Sequence, residues 1–342
     1  MTNVHPKPVR RSRKLQVRSL FGVGISIACL IFVFRKIDVQ QVYAALQSFK
    51  WHFVLFGLGA LTLDYAARIE RWAVMLRIGR ADLRASACAA PFLGSITLNN
   101  VLPFRAGDLV RALVFPTSMG IRRTTATASL MLERLIDLLT LLLALGAGLW
   151  LNPESNVPDW LGKSAVVLAV VGGLALASIM VLNAPVMRLL RWLEGRVAKK
   201  SARLATALGL AMALTRDIGQ MARMRALLPL LGLSAVIWMG ETGLFWAVLR
   251  GLSVDSSYSA ALVIMAVSTL STLVPSSPGY VGPFHLAAYS AALMLGGSPA
   301  QAASFAVLAH LGLWLPTTLA GSVAILLRPA LFKGRDSRLP EV

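Results

Sequence analysis

Residues 99–112, NNVLPFRAGDLVRA, place Pro103, Arg105, Gly107, Asp108 and Arg111 within nine positions, just after Asn100. Two guanidiniums so close suit a phosphate oxyanion, because Arg presents planar, charge-assisted donors. Asp108 can pair with one arginine to keep it ordered, or receive an amine. The other use of Arg105 and Arg111 is topological, as basic markers of the cytoplasmic side. A second stretch, PSSPGYVGPFH at residues 275–285, carries Pro275, Ser276, Ser277, Pro278, Gly279, Gly282 and His285. Pro103 precedes Gly107 by the same interval that separates Pro275 from Gly279. Proline stops a helix and glycine turns the chain at low steric cost, so Pro103, Gly107, Pro275, Pro278 and Gly282 read as helix-break positions.

Other ionisable residues stand inside apolar stretches, where they are functional candidates by default. Asp64 and Arg68 are four apart and share a helix face, which suits a structural pair. Glu133 and Asp137 share a face beside Arg134. They either tie their helix to the arginines at 105 and 111 or line a substrate path. Glu241, in WMGETGLFW, needs an arginine from another helix or a proton, and the second option makes it a possible coupling residue. His285 and His310 fit hydrogen-bonded packing. No spacing argues for a metal, Cys29 and Cys88 build no disulfide framework, and no G-x-x-x-x-G-K-[ST] is present. No cofactor is expected.

The elements that must position these groups are membrane helices. The chain of 342 residues is 56% hydrophobic and 14% charged, with a mean hydropathy of +0.69. Soluble domains are about 25% charged. This points to an all-α polytopic membrane protein of about 6–8 membrane helices plus broken, re-entrant ones. The net charge of +19 gathers between apolar segments, so the positive-inside rule explains it better than nucleic acid does. The partners are then the bilayer and anionic lipid headgroups.

The expected organisation is a basic cytoplasmic tail at 1–18, one transmembrane domain at 19–328 and a basic cytoplasmic tail at 329–342. Helices are expected near 19–34, 51–67, 124–151, 161–182, 228–249 and 300–327, with a basic cytoplasmic loop at 183–226. Units at about 85–151 and 258–327 each read as a broken helix, a turn, a return and a full crossing. By their flanking charges they start from opposite sides, as in an inverted-topology repeat. Residues 258–296 can also be read as two full crossings.

Three blocks in this order, NNVLPFRAGDLVRA, ERLIDLL and PSSPGYVGPFH, resemble the lysylphosphatidylglycerol synthase transmembrane-region family, the flippase-like domain of multiple-peptide-resistance proteins, over about residues 15–328. Asn100, Pro103, Arg105, Gly107 and Arg111 match the first block, with Asp108 where glutamate is usual. Glu133, Arg134 and Asp137 match the second, and Pro275, Pro278, Gly279 and Gly282 the third. His285 stands where many members carry glutamate, which sets this position apart from a charge-based role. The resemblance implies a bacterial or archaeal inner-membrane protein that moves a lipid between leaflets. The synthase domain of some relatives is not expected here, so no synthesis of lysyl-lipid is expected either.

The resulting expectation is a flippase or transporter of a phospholipid, glycolipid or polyprenyl-type lipid, with both termini cytoplasmic. Its substrate-binding set is Asn100, Arg105, Asp108, Arg111, Glu133, Arg134, Ser276, Ser277, Gly279 and His285, with Glu241 as the possible coupling residue. The alternative is a membrane-embedded lipid-linked glycosyl- or other transferase, using Asp108, Glu133 and Asp137 as base and metal ligands.

Overall fold

The computed structural model describes residues 24–31, 33, 39–153, 158–197, 201–254, 256–274 and 276–332; Pro275 and both tails lie outside them. All regular structure among them is helical. A helical stretch at 24–31 is followed by α1 (Val39–Gln47), α2 (His52–Leu76), α3 (Ala85–Val101), α4 (Ala106–Leu113), α5 (Phe115–Ser118) and α6 (Arg123–Trp150). Then come α7 (Asp159–Val197), α8 (Ala202–Met221), α9 (Met224–Gly251), α10 (Tyr258–Ser271), α11 (Pro283–Met294) and α12 (Pro299–Leu327). Single 3₁₀ turns occupy Pro103–Arg105, Pro278–Tyr280 and Pro329–Phe332.

Local chemistry sets the boundaries. Ser298 Oγ accepts from the Gln301 amide at 3.3 Å while Gln301 Oε1 accepts from the Ser298 amide at 3.1 Å, a reciprocal cap that starts α12 ahead of Pro299. Ser257 Oγ caps α10 by accepting from the Ala260 amide at 3.1 Å.

Among the described residues, three helical stretches have the length and apolar content to cross a bilayer: Gly162–Val197 within α7, α9 and α12. The exposed face of α7 is apolar, through Val166, Val167, Leu168, Val170, Val171 and Leu174, as a lipid-facing surface must be. With 25 and 28 residues, α2 and α6 also have the length to cross, but they carry the buried charges. Two boundaries differ from expectation. The 51–67 helix runs on to Leu76, because Arg68 and Arg71 find carboxylates inside the protein instead of ending the span. The 161–182 helix runs on to Val197, and most of the expected 183–226 loop is helical as the end of α7, α8 and the start of α9.

At about 1.5 Å per residue, α3 is about 25 Å long, α10 about 21 Å and α11 about 18 Å. Both α10 and α11 are short of a hydrocarbon core of about 30 Å, the length expected of helices that enter and return. In the first unit α3 runs in and α4 doubles back along it. Gly107 lies so close that a Cβ there would overlap the Ser95 carbonyl oxygen, so only glycine lets the two helices touch.

The helices pack in reciprocal, opposed pairs. On α2 and α9, Gly57 faces Leu244, Ala60 faces Gly240 and Gly243, and Arg71 reaches Ser234, so one helix rises as the other descends. Small residues at 57, 60, 240 and 243 permit this close approach. First-unit α3 packs antiparallel on second-unit α12: Leu93 faces Gly321, and Thr97 Oγ1 donates to the Thr318 carbonyl at 3.0 Å. Second-unit α10 packs antiparallel on first-unit α6, with Gly148 against Val263 and Asn152 against Ser259. The leading short helix of each unit, α3 or α10, therefore lies antiparallel on the long helix of the other unit.

Replacing Gly107 by Ala should lower the apparent thermal midpoint of the detergent-solubilised protein, at a cost of about 1–3 kcal/mol. Gly146→Ala, at a helical glycine facing open space, should leave the midpoint unchanged or raise it. Equal midpoints for the two variants would contradict the close approach of α3 and α4.

Candidate functional site

The first turn is strained and firmly held. Phe104 and Arg105 adopt left-handed backbone, with φ of 61° and 51°. Non-glycine residues hold that conformation at a cost of about 1–3 kcal/mol each, and only where their surroundings over-determine it. Here Asn99 does so from α3. Its Nδ2 donates to Asp108 Oδ1 at 2.9 Å, and its Oδ1 accepts from the Asp108 amide at 3.1 Å. Asp108 Oδ2 accepts from Arg134 of α6 at 2.7 Å. The consequence is an Arg105 side chain thrown across to the second unit. Its Nη2 donates to the Thr272 carbonyl at 3.0 Å, and its guanidinium sits 5.3 Å from the centre of the Tyr280 ring.

In the second turn Gly279, Tyr280 and Gly282 all have positive φ. Ser277 donates its amide to Ser26 Oγ at 2.9 Å and its hydroxyl to the Val281 carbonyl at 3.2 Å. His310 Nε2 lies 2.7 Å from the Gly279 carbonyl oxygen. A Cβ at Gly279 would stand 2.9 Å from Trp314 Nε1 and 3.3 Å from the Asn100 carbonyl oxygen, so the tip of one hairpin is fitted against the tip of the other.

A cavity of about 360 Å³ lies where the tips meet. Its polar wall holds Arg68, Asn100, Arg105, Arg134, Asp137, Glu241 and His310, and its apolar wall Trp238, Phe284, Trp314 and leucines of α6, α10 and α12. The volume falls in the range of small-molecule sites, and the division into polar and apolar walls suits an amphiphile.

Around the cavity, each buried carboxylate meets an arginine. Arg68 donates to Asp64 Oδ1 and to Glu241 Oε2, both at 2.6 Å, and lies 5.0 Å from the Trp238 ring centre. Arg71 pairs with Asp137 at 2.7 Å and donates to Ser234 at 2.7 Å. Arg111 pairs with Glu133 at 2.7 Å, between the rings of Phe92 and Trp72. Among the described residues, Arg105 bonds to no carboxylate.

Of the residues singled out in the sequence, Asn100, Arg105, Arg134, Gly279 and Glu241 line the cavity. Asp108, Arg111, Glu133, Ser276, Ser277 and His285 do not. Arg111, expected to offer donors to a phosphate, is 2% exposed and bonded to Glu133, so it serves the packing of α4 on α6. Asp108 was expected to pair with Arg105 or Arg111; its partner is Arg134, because α4 turns that carboxylate toward α6. His285 is buried beside His310, with ring centres 4.6 Å apart, and its Nδ1 faces the Gly282 amide. Pro278 and Gly282 stand in the second turn, and Pro275 lies outside the described residues. Glu241 finds its arginine on another helix, Arg68. The cavity also uses Asp137, for which a substrate path was one of two readings, Arg68, whose spacing from Asp64 marks it as structural, and Tyr65, Trp238 and Trp314, whose types are ordinary in apolar helices. Tyr280 carries a signal, an aromatic inside a Pro/Gly turn.

Comparison with known proteins gives a family match over most of the chain. Residues 19–321 match the family model described as the lysylphosphatidylglycerol synthase TM region. The chain is also similar to a protein of Haloferax volcanii named glycosyltransferase AglD, 28% identical over 338 residues that cover 90% of this chain and 53% of that protein. The chain thus spans about half the length of the curated relative it matches.

Removing one partner of a buried ion pair leaves an uncompensated charge, at a cost of about 3–5 kcal/mol, whereas removing both is far milder. Arg111→Leu should sharply lower the thermal midpoint in detergent, and adding Glu133→Leu should restore much of it. A double variant no better than Arg111→Leu would contradict the pairing.

Proposed function

The chain belongs to the lysylphosphatidylglycerol synthase transmembrane-region family, and we propose that it carries a phosphate-bearing membrane lipid between leaflets, with the headgroup held in the cavity at the two hairpin tips. The observation that carries this reading is Arg105. It is the arginine of the cavity wall that bonds to no carboxylate among the described residues, and a strained turn holds it at the tip. Its bonds to Thr272 are to neutral oxygens, which a phosphate can replace with a stronger, charge-assisted pair. Asn100 supplies an amide beside it, and the aromatic and leucine wall receives the first part of the lipid chains.

The opposed hairpins support transport in particular. Because α3 and α10 each reach only part of the way across, their tips meet inside the protein. Rocking of one unit against the other would open the cavity to each side in turn. The membrane is then the inner or plasma membrane, with both termini cytoplasmic by the basic residues that flank the helices.

The name of the Haloferax relative raises a second reading, a lipid-linked glycosyltransferase. Of the three acids such a site would use, Asp108 and Glu133 are tied to arginines behind the wall, and Asp137, paired with Arg71, lines the cavity. This geometry favours carriage over chemistry.

Mass spectrometry of the lipids that co-purify with the protein tests the proposal. One phosphate-bearing class should be enriched at least about tenfold over the bulk membrane, which corresponds to about 1.4 kcal/mol of preference. Arg105→Ala should abolish most of that enrichment and Arg105→Lys part of it. Enrichment that survives Arg105→Ala would remove Arg105 from the site.

A further inference from the structure

The wall of the cavity built by α2 and α9 holds a charge arrangement that headgroup binding does not require. Asp64 and Glu241 share one arginine, Arg68. The other titratable or charged groups facing this triad are Tyr65 and Arg71 on α2 and Asp137 on α6, and Thr269 of α10 donates to Glu241 Oε1 at 2.7 Å. Arg71 is already paired with Asp137. Three carboxylates therefore face two arginines. In the wider set Arg111 serves Glu133 and Arg134 serves Asp108, with Asp137 3.9 Å away, while Arg105 on the same cavity wall is bonded to Thr272 and relieves neither Asp64 nor Glu241. The local shortage is therefore at Arg68, which Asp64 and Glu241 divide between them.

The excess charge has a definite location. Among the described residues, the Oδ2 of fully buried Asp64 has no hydrogen-bond partner; Glu133 Oε2 is bare as well, but Glu133 has Arg111 to itself and Arg134 at 4.0 Å, whereas Asp64 shares its arginine with Glu241, both of whose oxygens are bonded. An ionised carboxylate with a bare oxygen in an apolar interior is costly, and a proton on that oxygen removes the cost. Gly240 of α9 lies against Asp64 and keeps the site closed on that side.

We propose that Asp64 is a proton-binding site, set by sharing Arg68 with Glu241, and that binding of an anion at Arg68 is linked to proton uptake there. The linkage rests on the lipid reading above; the proton site does not. Arg68 and Glu241 line the cavity and Asp64 stands behind them. A phosphate drawn to Arg68 weakens the hold of its guanidinium on both carboxylates, which then take up a proton from the water of the cavity by way of Glu241. Reciprocally, a proton on Asp64 frees Arg68 for the phosphate. A proton gradient can then drive the lipid.

Infrared spectroscopy of the full chain in lipid nanodiscs tests the site itself. The protein should show a protonated-carboxyl band, sensitive to deuterium exchange, that is lost in Asp64→Asn. Glu241→Gln removes the excess negative charge, so the midpoint of the band should move to lower pH by about one unit or more, a tenfold loss of proton affinity. This second variant keeps the test decisive if Asp64→Asn fails to fold. The absence of a band, or a band that Glu241→Gln leaves in place, would overturn the site.

The linkage is read in vesicles containing fluorescently labelled phosphatidylglycerol. Its movement between leaflets should depend on a pH gradient in the wild type and lose that dependence in Asp64→Asn. Dependence on a sodium gradient instead, or equal pH sensitivity in both proteins, would overturn proton coupling. An infrared band with no lipid movement under any gradient would count against the lipid reading and leave the proton site standing.

Discussion

Charge neutralisation inside an apolar protein is the constraint on which this structure depends. Asp64, Asp108, Glu133, Asp137 and Glu241 are all buried, and each must find a cation or a proton before its helix can stay in place. The partners come from elements distant in the chain. Arg68 joins α2 to α9, Arg71 joins α2 to α6, Arg111 joins α4 to α6, and Arg134 returns from α6 to α4. These pairs add little net stability compared with apolar packing of the same volume. They specify instead which helices meet and in what register, because any other arrangement leaves a bare charge. The site follows from the same rule: once the acids have taken their arginines, Arg105 is left over at the tip of a strained turn.

The two hairpins give that leftover charge its setting. A hairpin too short to span must end inside the protein, and its turn exposes backbone polar groups there. Such backbone is tolerated where it lines a cavity or meets other protein. Here the turns at 103–105 and 278–280 satisfy each other, through Arg105 with Thr272 and through the close fit of Gly279 to Asn100. Opposed packing of α3 on α12 and of α10 on α6 brings both turns to one place, and the cavity is what the two tips do not fill.

Much of this was legible in the residues. The equal Pro–Gly spacings at 103 and 107 and at 275 and 279 marked the two turns, although Pro275 itself lies outside the described residues. What was not legible depends on contacts across the fold. A hydropathy pattern counts Arg68 and Arg71 as the end of a span, although both are paired inside one. Arg111 looks equivalent to Arg105 in the sequence, yet a helical turn of α4 aims it at Glu133 between Trp72 and Phe92. The pairing of α2 with α9 rests on Gly57, Ala60, Gly240 and Gly243, residues too common in membrane helices to announce a partner. Trp238 and Trp314 carry no mark that separates a cavity wall from a lipid-facing surface.

The central claim is that lipid crosses the membrane through the cavity at the hairpin tips. The most direct test is to reconstitute the purified protein into vesicles of native membrane lipid and follow the leaflet exposure of each phosphate-bearing class with an impermeant reagent. The account predicts that one class exchanges between leaflets faster than in protein-free vesicles, with its covalent structure unchanged. Exchange no faster than in empty vesicles, together with a new glycosylated lipid when sugar donors are supplied, would contradict it and make the cavity the active site of a transferase.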